Sequence, residues 1–226
     1  MNLKQLIKSV QDNLSYGFIP EQERIKANKI LTAMRAIDRQ FFVPDKIDAY
    51  FDTAMPIGYN QTISQPSTVA RMLMLADLDE RKDLLELGTG SGWNASLAGF
   101  IIYPGKVLSL DIVYPLVEKA LQNLNEVKMH LNPEKRKRLS NIRFKHLNIF
   151  KRLPEWTETY DRIIITAGIL DSQEKSIQEL AQRIMKENGI LVCPHTQGPL
   201  IILKRENDKI NRYTTSEHYV FVPLLD

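Results

Sequence analysis

The stretch Leu84-Leu85-Glu86-Leu87-Gly88-Thr89-Gly90-Ser91-Gly92-Trp93 decides the fold. Its apolar start reads as a buried strand, its glycines as a tight turn, and the residues after Gly92 as a helix. Three glycines in five positions let the backbone turn sharply and let a ligand lie directly on the main chain. A dinucleotide fingerprint needs G-x-G-x-x-G, and Trp93 occupies its last position here. A phosphate loop of the Walker type needs Gly-Lys-Ser/Thr next, and none follows.

Working outward, Lys106-Val107-Leu108-Ser109-Leu110-Asp111 reads as the next strand, ending in an acid. Asp111 lies roughly 20 residues beyond the turn, where a doubly wound sheet sets a carboxylate on a ribose diol. A carboxylate accepts from both vicinal hydroxyls. The pattern E-x-G-x-G-x-G, carried by Glu86, Gly88, Gly90 and Gly92, resembles the first motif of S-adenosylmethionine (SAM) methyltransferases. That ligand has no phosphate, so it needs room for an amino acid and an adenosine.

The 226 residues are 43% hydrophobic and 25% charged, which predicts a folded, soluble chain rather than a disordered one. No apolar run nears the roughly 20 residues of a membrane span, and the amino terminus lacks a secretory core. The single cysteine, Cys193, excludes an internal disulfide and fits a cytoplasmic location. Four histidines and that cysteine show no metal-ligand spacing, so no metal is expected. A net charge of +3 does not by itself call for nucleic acid.

Alternating signals from Asp83 predict strands near 83–87, 106–110, 141–145, 161–166 and 189–193, and helices near 92–102, 113–128 and 172–186. This is an α/β fold with a doubly wound, mostly parallel sheet covered on both faces. Leu200–Leu203 and Glu217–Val222 predict an antiparallel pair at its edge. Upstream, helices are expected over about 2–14 and from Pro20 to about Ile37, with 45–65 an ordered irregular loop. The chain divides into a helical N-terminal extension with an active-site loop, 1–65, and a methyltransferase domain, 66–226, as one compact unit. Lys135-Arg136-Lys137-Arg138 reads as a solvated charged loop, or alternatively as a phosphate contact.

The loop Pro56-Ile57-Gly58-Tyr59-Asn60-Gln61-Thr62-Ile63-Ser64-Gln65-Pro66 carries Gln61, Thr62 and Ser64 within four positions. Ser64 or Gln65 could serve only to cap the helix beginning at Pro66. Taken with Phe42-Val43-Pro44, Tyr160-Asp161-Arg162-Ile163-Ile164 and Val220-Phe221-Val222-Pro223-Leu224, however, the loop resembles that of protein-L-isoaspartate O-methyltransferases. The Thr62-Ile63-Ser64-Gln65-Pro66 segment is the more specific part of the match.

The resemblance implies transfer of a methyl group from SAM to the α-carboxylate of isoaspartyl residues in damaged proteins or peptides. The ester then cyclises to a succinimide unaided. A carboxylate is already ionised at neutral pH, so alignment serves where a strong base would otherwise be needed. Carried over by residue, Ser64 and Thr62 are catalytic, while Gln61, Glu86, Gly88, Gly90, Gly92, Asp111 and Asn148 hold the cofactor. Asn148 stands where the family has an acid for the adenine amino group, its amide oxygen the remaining acceptor. Thr166-Ala167-Gly168-Ile169 and Cys193-Pro194-His195-Thr196 depart from the family near the substrate. A different acceptor on the same fold, RNA or a small molecule, is therefore the rival reading. A SAM-binding protein without catalysis is the other. A monomer is expected.

Overall fold

The computed structural model describes residues 1–14 and 20–225. Its centre is a seven-stranded sheet in the order β10-β9-β7-β6-β3-β4-β5. Those strands are β3 (Leu84–Leu87), β4 (Val107–Asp111), β5 (Ile142–His146), β6 (Tyr160–Ile165), β7 (Met185–Pro194), β9 (Leu200–Glu206) and β10 (Lys209–Thr214). The pairs among β3 to β7 are parallel, and β9 runs antiparallel to both β7 and β10. All four residues of β3 are buried, as expected of a strand covered on both faces.

The chain leaves β3 for β4 and β5 on one side, then returns to β6 and β7 on the other. The strand order therefore reverses beside β3, where open α/β sheets bind ligands at their carboxyl ends. The crossovers are α4 (Trp93–Ile102), α5 (Tyr114–Met129) with the short α6 (Pro133–Lys137), and α7 (Glu174–Ile184). Ile177, Leu180, Ala181 and Ile184 of α7 pack with Leu85, Ile163 and Leu191 on one face. The other face is larger. There α1 (Leu3–Leu14), α2 (Glu21–Ala36) and α3 (Pro66–Leu75) pack with α4, and Leu6, Val10, Leu31 and Leu73 share a cluster with Leu84 and Ile102.

Three local expectations are corrected. Inside the 45–65 segment lies an antiparallel hairpin, β1 (Met55–Gly58) with β2 (Gln61–Ile63). Tyr59 and Asn60 turn it with φ of +54° and +56°, the left-handed pair a two-residue hairpin loop requires. At the sheet edge the partner of β9 is β10, joined through Asn207 and Asp208, also left-handed at +52° and +60°. The 217–222 run does not join that sheet. Its β11 (Tyr219–Val220) pairs with β8 (Gln197–Gly198) instead. The charged 133–138 loop contains α6, started by Asn132, whose side chain accepts from the Lys135 amide at 2.9 Å.

Candidate active site

The glycine turn is held by its neighbours. The Gly88 and Gly92 amides donate to Leu110 and Thr89 carbonyls, both at 2.8 Å. Gly88 has φ +96°, and a methyl group there would collide with the Thr166 hydroxyl, which lies 2.6 Å from the Gly88 carbonyl. A Cβ at Gly92 would stand 2.9 Å from Ala120 on α5, so α4 and α5 approach closely only over glycine.

Beneath the turn runs a buried polar chain. Glu86, entirely buried, accepts from the Asn94 amide at 2.7 Å and from the Ser109 hydroxyl. The Ser109 hydroxyl in turn meets Thr89 Oγ1 at 2.6 Å. Burial pushes the Glu86 carboxyl up to about 7; bonds from Ser109 and Asn94 oppose the rise, and nearby Asp111 adds to it. Sequence reading set Glu86 against the cofactor. Its carboxylate is committed to Asn94 and Ser109 and reaches neither cavity wall, so it braces the turn from below.

Two cavities open above the turn and share Gly88. The first, about 500 Å³, is walled by Gln61, Asp111, Asn148 and the apolar Leu110, Phe150 and Leu224. Asp111 ends β4 with both oxygens oriented. Oδ2 accepts from the Gly90 amide and Oδ1 from the Val113 amide, both at 2.9 Å. Each oxygen retains a lone pair for a ligand. Asn148 differs from expectation. Its Oδ1 accepts from the Phe150 amide at 3.0 Å, with the Lys151 amide at 3.4 Å, so the group left to a ligand is the Nδ2 donor.

Sequence reasoning missed the outer wall of this cavity, Pro223-Leu224-Leu225. Two backbone bonds at 2.7 Å, from Gly168 to the Val222 carbonyl and from Leu224 to the Gly168 carbonyl, strap it down. No periodicity marks such a segment, since its partners lie in a distant loop.

The second cavity, about 420 Å³, is lined by Thr62, Ser64, Thr89, Ser91, Asn94 and Thr166 over apolar Val69, Met72 and Trp93. Among the described residues, no titratable side chain lines it. Thr62 and Ser64 thus face one space, and neither hydroxyl has a hydrogen-bond partner among the described residues. Ser64 is not a cap. The first free amide of α3, Ser67, donates to Asp52 at 2.8 Å, and Gln65 makes no side-chain cap bond.

Other candidates fall away from this site. Cys193 is fully buried in β7, and burial pushes its thiol far up, so it packs rather than attacks. The Lys135–Arg138 segment precedes β5, at the sheet end opposite the cavities. Arg136 and Arg138 there cap the Lys128 and Phe100 carbonyls at 3.0 and 2.9 Å. The fold also assembles a group that spacing did not reveal. His195 lies 3.6 Å from Asp171 and 3.2 Å from Glu174, which Arg212 shares at 3.1 Å. This polar cluster, with Arg212–Glu174 as its ion pair, ties the loop after β7 to the start of α7.

A family model described as protein-L-isoaspartate(D-aspartate) O-methyltransferase matches residues 18–226. A protein-L-isoaspartate O-methyltransferase of Methanococcoides burtonii is 33% identical over 210 residues, 89% of this chain and 96% of its own. One from Pyrococcus horikoshii is 34% identical over 208 residues, covering 89% and 86%. Among solved structures, a Plasmodium falciparum protein assigned to the same activity, in complex with S-adenosyl-L-homocysteine, superposes with a TM-score of 0.78. At 20% identity over 100% of this chain and 99% of that one, it speaks for the fold.

Proposed function

The chain belongs to the protein-L-isoaspartate(D-aspartate) O-methyltransferase family, and from this we infer that the two joined cavities are one active site. SAM occupies the first, and an isoaspartyl carboxylate of a damaged protein or peptide enters through the second. The residues present fit the donor. Gly88 lines the first cavity, and Asp111 keeps a free lone pair on each oxygen for the ribose hydroxyls. Asn148 Nδ2 suits a ring nitrogen of adenine, and Gln61 reaches the same space. When bound, SAM supplies a methyl carbon on a cationic sulfur.

The chain's own residues then bind, orient and exclude water. Pro223-Leu224-Leu225 forms one wall of the donor cavity, and the water it displaces strengthens polar contacts there. The free hydroxyls of Thr62 and Ser64 donate to the acceptor carboxylate and hold one oxygen in line with the methyl carbon. One observation carries this reading: among the described residues, the acceptor cavity has hydroxyls and an amide but no titratable side chain. An amine or hydroxyl acceptor must lose a proton, and nothing there takes it. A carboxylate arrives already ionised at neutral pH.

The cavities are complete within one chain, which supports a monomer. Cys193 as the sole cysteine supports work in the cytoplasm. Among the described residues, no helix is long and apolar enough to cross a membrane. The test is methyl transfer to matched isoaspartyl and aspartyl peptides. The added backbone methylene displaces the carboxylate, and a shift near 1 Å costs about a hundredfold in rate, so the isoaspartyl peptide reacts far faster. Equal rates on both peptides, or transfer to RNA alone, would overturn the assignment.

A further inference from the structure

Arg39 is the most unusual side chain outside the cavities. It is fully buried, yet no carboxylate lies within ion-pair distance of it among the described residues. Its two Nη groups donate to main-chain carbonyls instead, with Met55 Sδ also 3.6 Å from Nη1, while Nε has no hydrogen-bond partner among the described residues. Nη1 donates to Ala49 at 3.0 Å and Phe51 at 3.2 Å, and Nη2 donates to Thr53 at 2.9 Å and Ser64 at 3.3 Å. Burial pulls its pKa down to about 10, with Asp52 opposing, so it stays cationic at neutral pH. Its other face lies over the Trp93 ring, 5.5 Å from the centroid. Trp93 opens α4 directly after the glycine turn, lines the acceptor cavity, and donates Nε1 to the Ile37 carbonyl at 3.0 Å.

A buried cation whose counter-charge, Asp52, stands beyond ion-pair distance is a poor device for stability, because apolar packing in its place is often as stable or more so. What the guanidinium does supply is geometry. Its planar fork spans carbonyls from 49 to 64 at once, which the point charge of a lysine does not. One end of that span is the backbone of Ser64, and the aromatic face beneath belongs to the cofactor turn.

We propose that Arg39 is a positioning residue for methyl transfer, fixing the Ser64 backbone against the glycine turn and thereby setting where the Ser64 hydroxyl stands. The inference rests on the reading of Ser64 given above. The experiment is a double-mutant cycle of Arg39→Lys, Ser64→Ala and the pair, with turnover at saturating substrates, donor affinity by calorimetry, and melting. Arg39→Lys keeps donor affinity within about threefold but lowers kcat about ten- to a hundredfold, the scale of a sub-ångström to 1 Å misplacement. On the Ser64→Ala background the same change costs no more than about twofold, because the two act as one unit.

Wild-type kcat in Arg39→Lys, or factors that simply multiply in the pair, would overturn the proposal while leaving Ser64 in place. Wild-type turnover in Ser64→Ala would remove the reading of Ser64 and this proposal with it. Should Arg39→Lys not fold at the assay temperature, Arg39→Gly supplied with guanidinium ion replaces it in the cycle. Failure of both to fold assigns Arg39 to the fold alone and overturns the positioning role.

Discussion

At the scale of single residues, the polar groups near the turn divide into those that face ligand space and those that hold the frame. Asp111 does both, since each oxygen carries a backbone amide. Asp111→Ala therefore weakens donor binding by about 1.5–3 kcal/mol for each charge-assisted bond lost, read by calorimetric titration. Asp52 holds the frame only. Asp52→Ala strips the cap from Ser67 and costs about 0.5–2 kcal/mol in thermal or urea unfolding, whereas Ser64→Ala leaves that stability intact. Glu86 gives a pH signature. Its folded pKa, about 7, stands above the unfolded carboxylate value, so its favourable share is full below pH 4.5 and lost as pH rises through 7. Wild type should lose stability against Glu86→Gln between those limits, by at most about 1.4 kcal/mol per pH unit. Parallel unfolding curves for the two proteins across pH 5–8 would count against it.

At the scale of elements, legibility followed the length of the repeating signal. The buried strands Leu84–Leu87 and Tyr160–Ile165 stand in the sequence because burial on both faces leaves mostly apolar runs, broken by Glu86 and by Asp161–Arg162. The crossover helices stand there because of the spacing of their apolar residues. The hairpin at 55–63 was hidden because its strands have four and three residues, too few for a period of two to emerge. Strand Lys209–Thr214 was hidden for another reason. It is an edge strand, mostly exposed and charged, and such strands suppress the apolar alternation that would announce them. Within the candidate site, the glycines and Asp111 were read from residue type and spacing, whereas Thr62 and Ser64 were given their roles by the family resemblance. The Asn148 amide was misread because its oxygen is claimed by amides two and three residues on, a local turn that residue identity does not disclose. The strap over the donor cavity hangs on Gly168 through two short bonds. Binding of S-adenosylhomocysteine should slow hydrogen exchange at the Gly168 and Leu224 amides, measured by mass spectrometry or NMR. Unchanged exchange there would show that the wall does not close over the ligand.

At the scale of the whole molecule, the sheet separates charge from chemistry. The basic Lys135–Arg138 run lies at one end of the strands, and the acceptor cavity lies at the other among hydroxyls, an amide and apolar side chains. Helices α1 to α3 are part of that arrangement, because their apolar residues share one core with the sheet and carry the hairpin to the mouth of the cleft. The bareness of that cavity has a kinetic consequence. With no titratable side chain among the described residues of the acceptor space, ester formation has no proton in flight at its transition state. Turnover of an isoaspartyl peptide in heavy water should therefore match that in ordinary water at equivalent pH, once the step measured is methyl transfer under single-turnover conditions. A solvent deuterium slowing would mean that a hydrogen moves with the methyl group, and that a base from outside the cavity takes part.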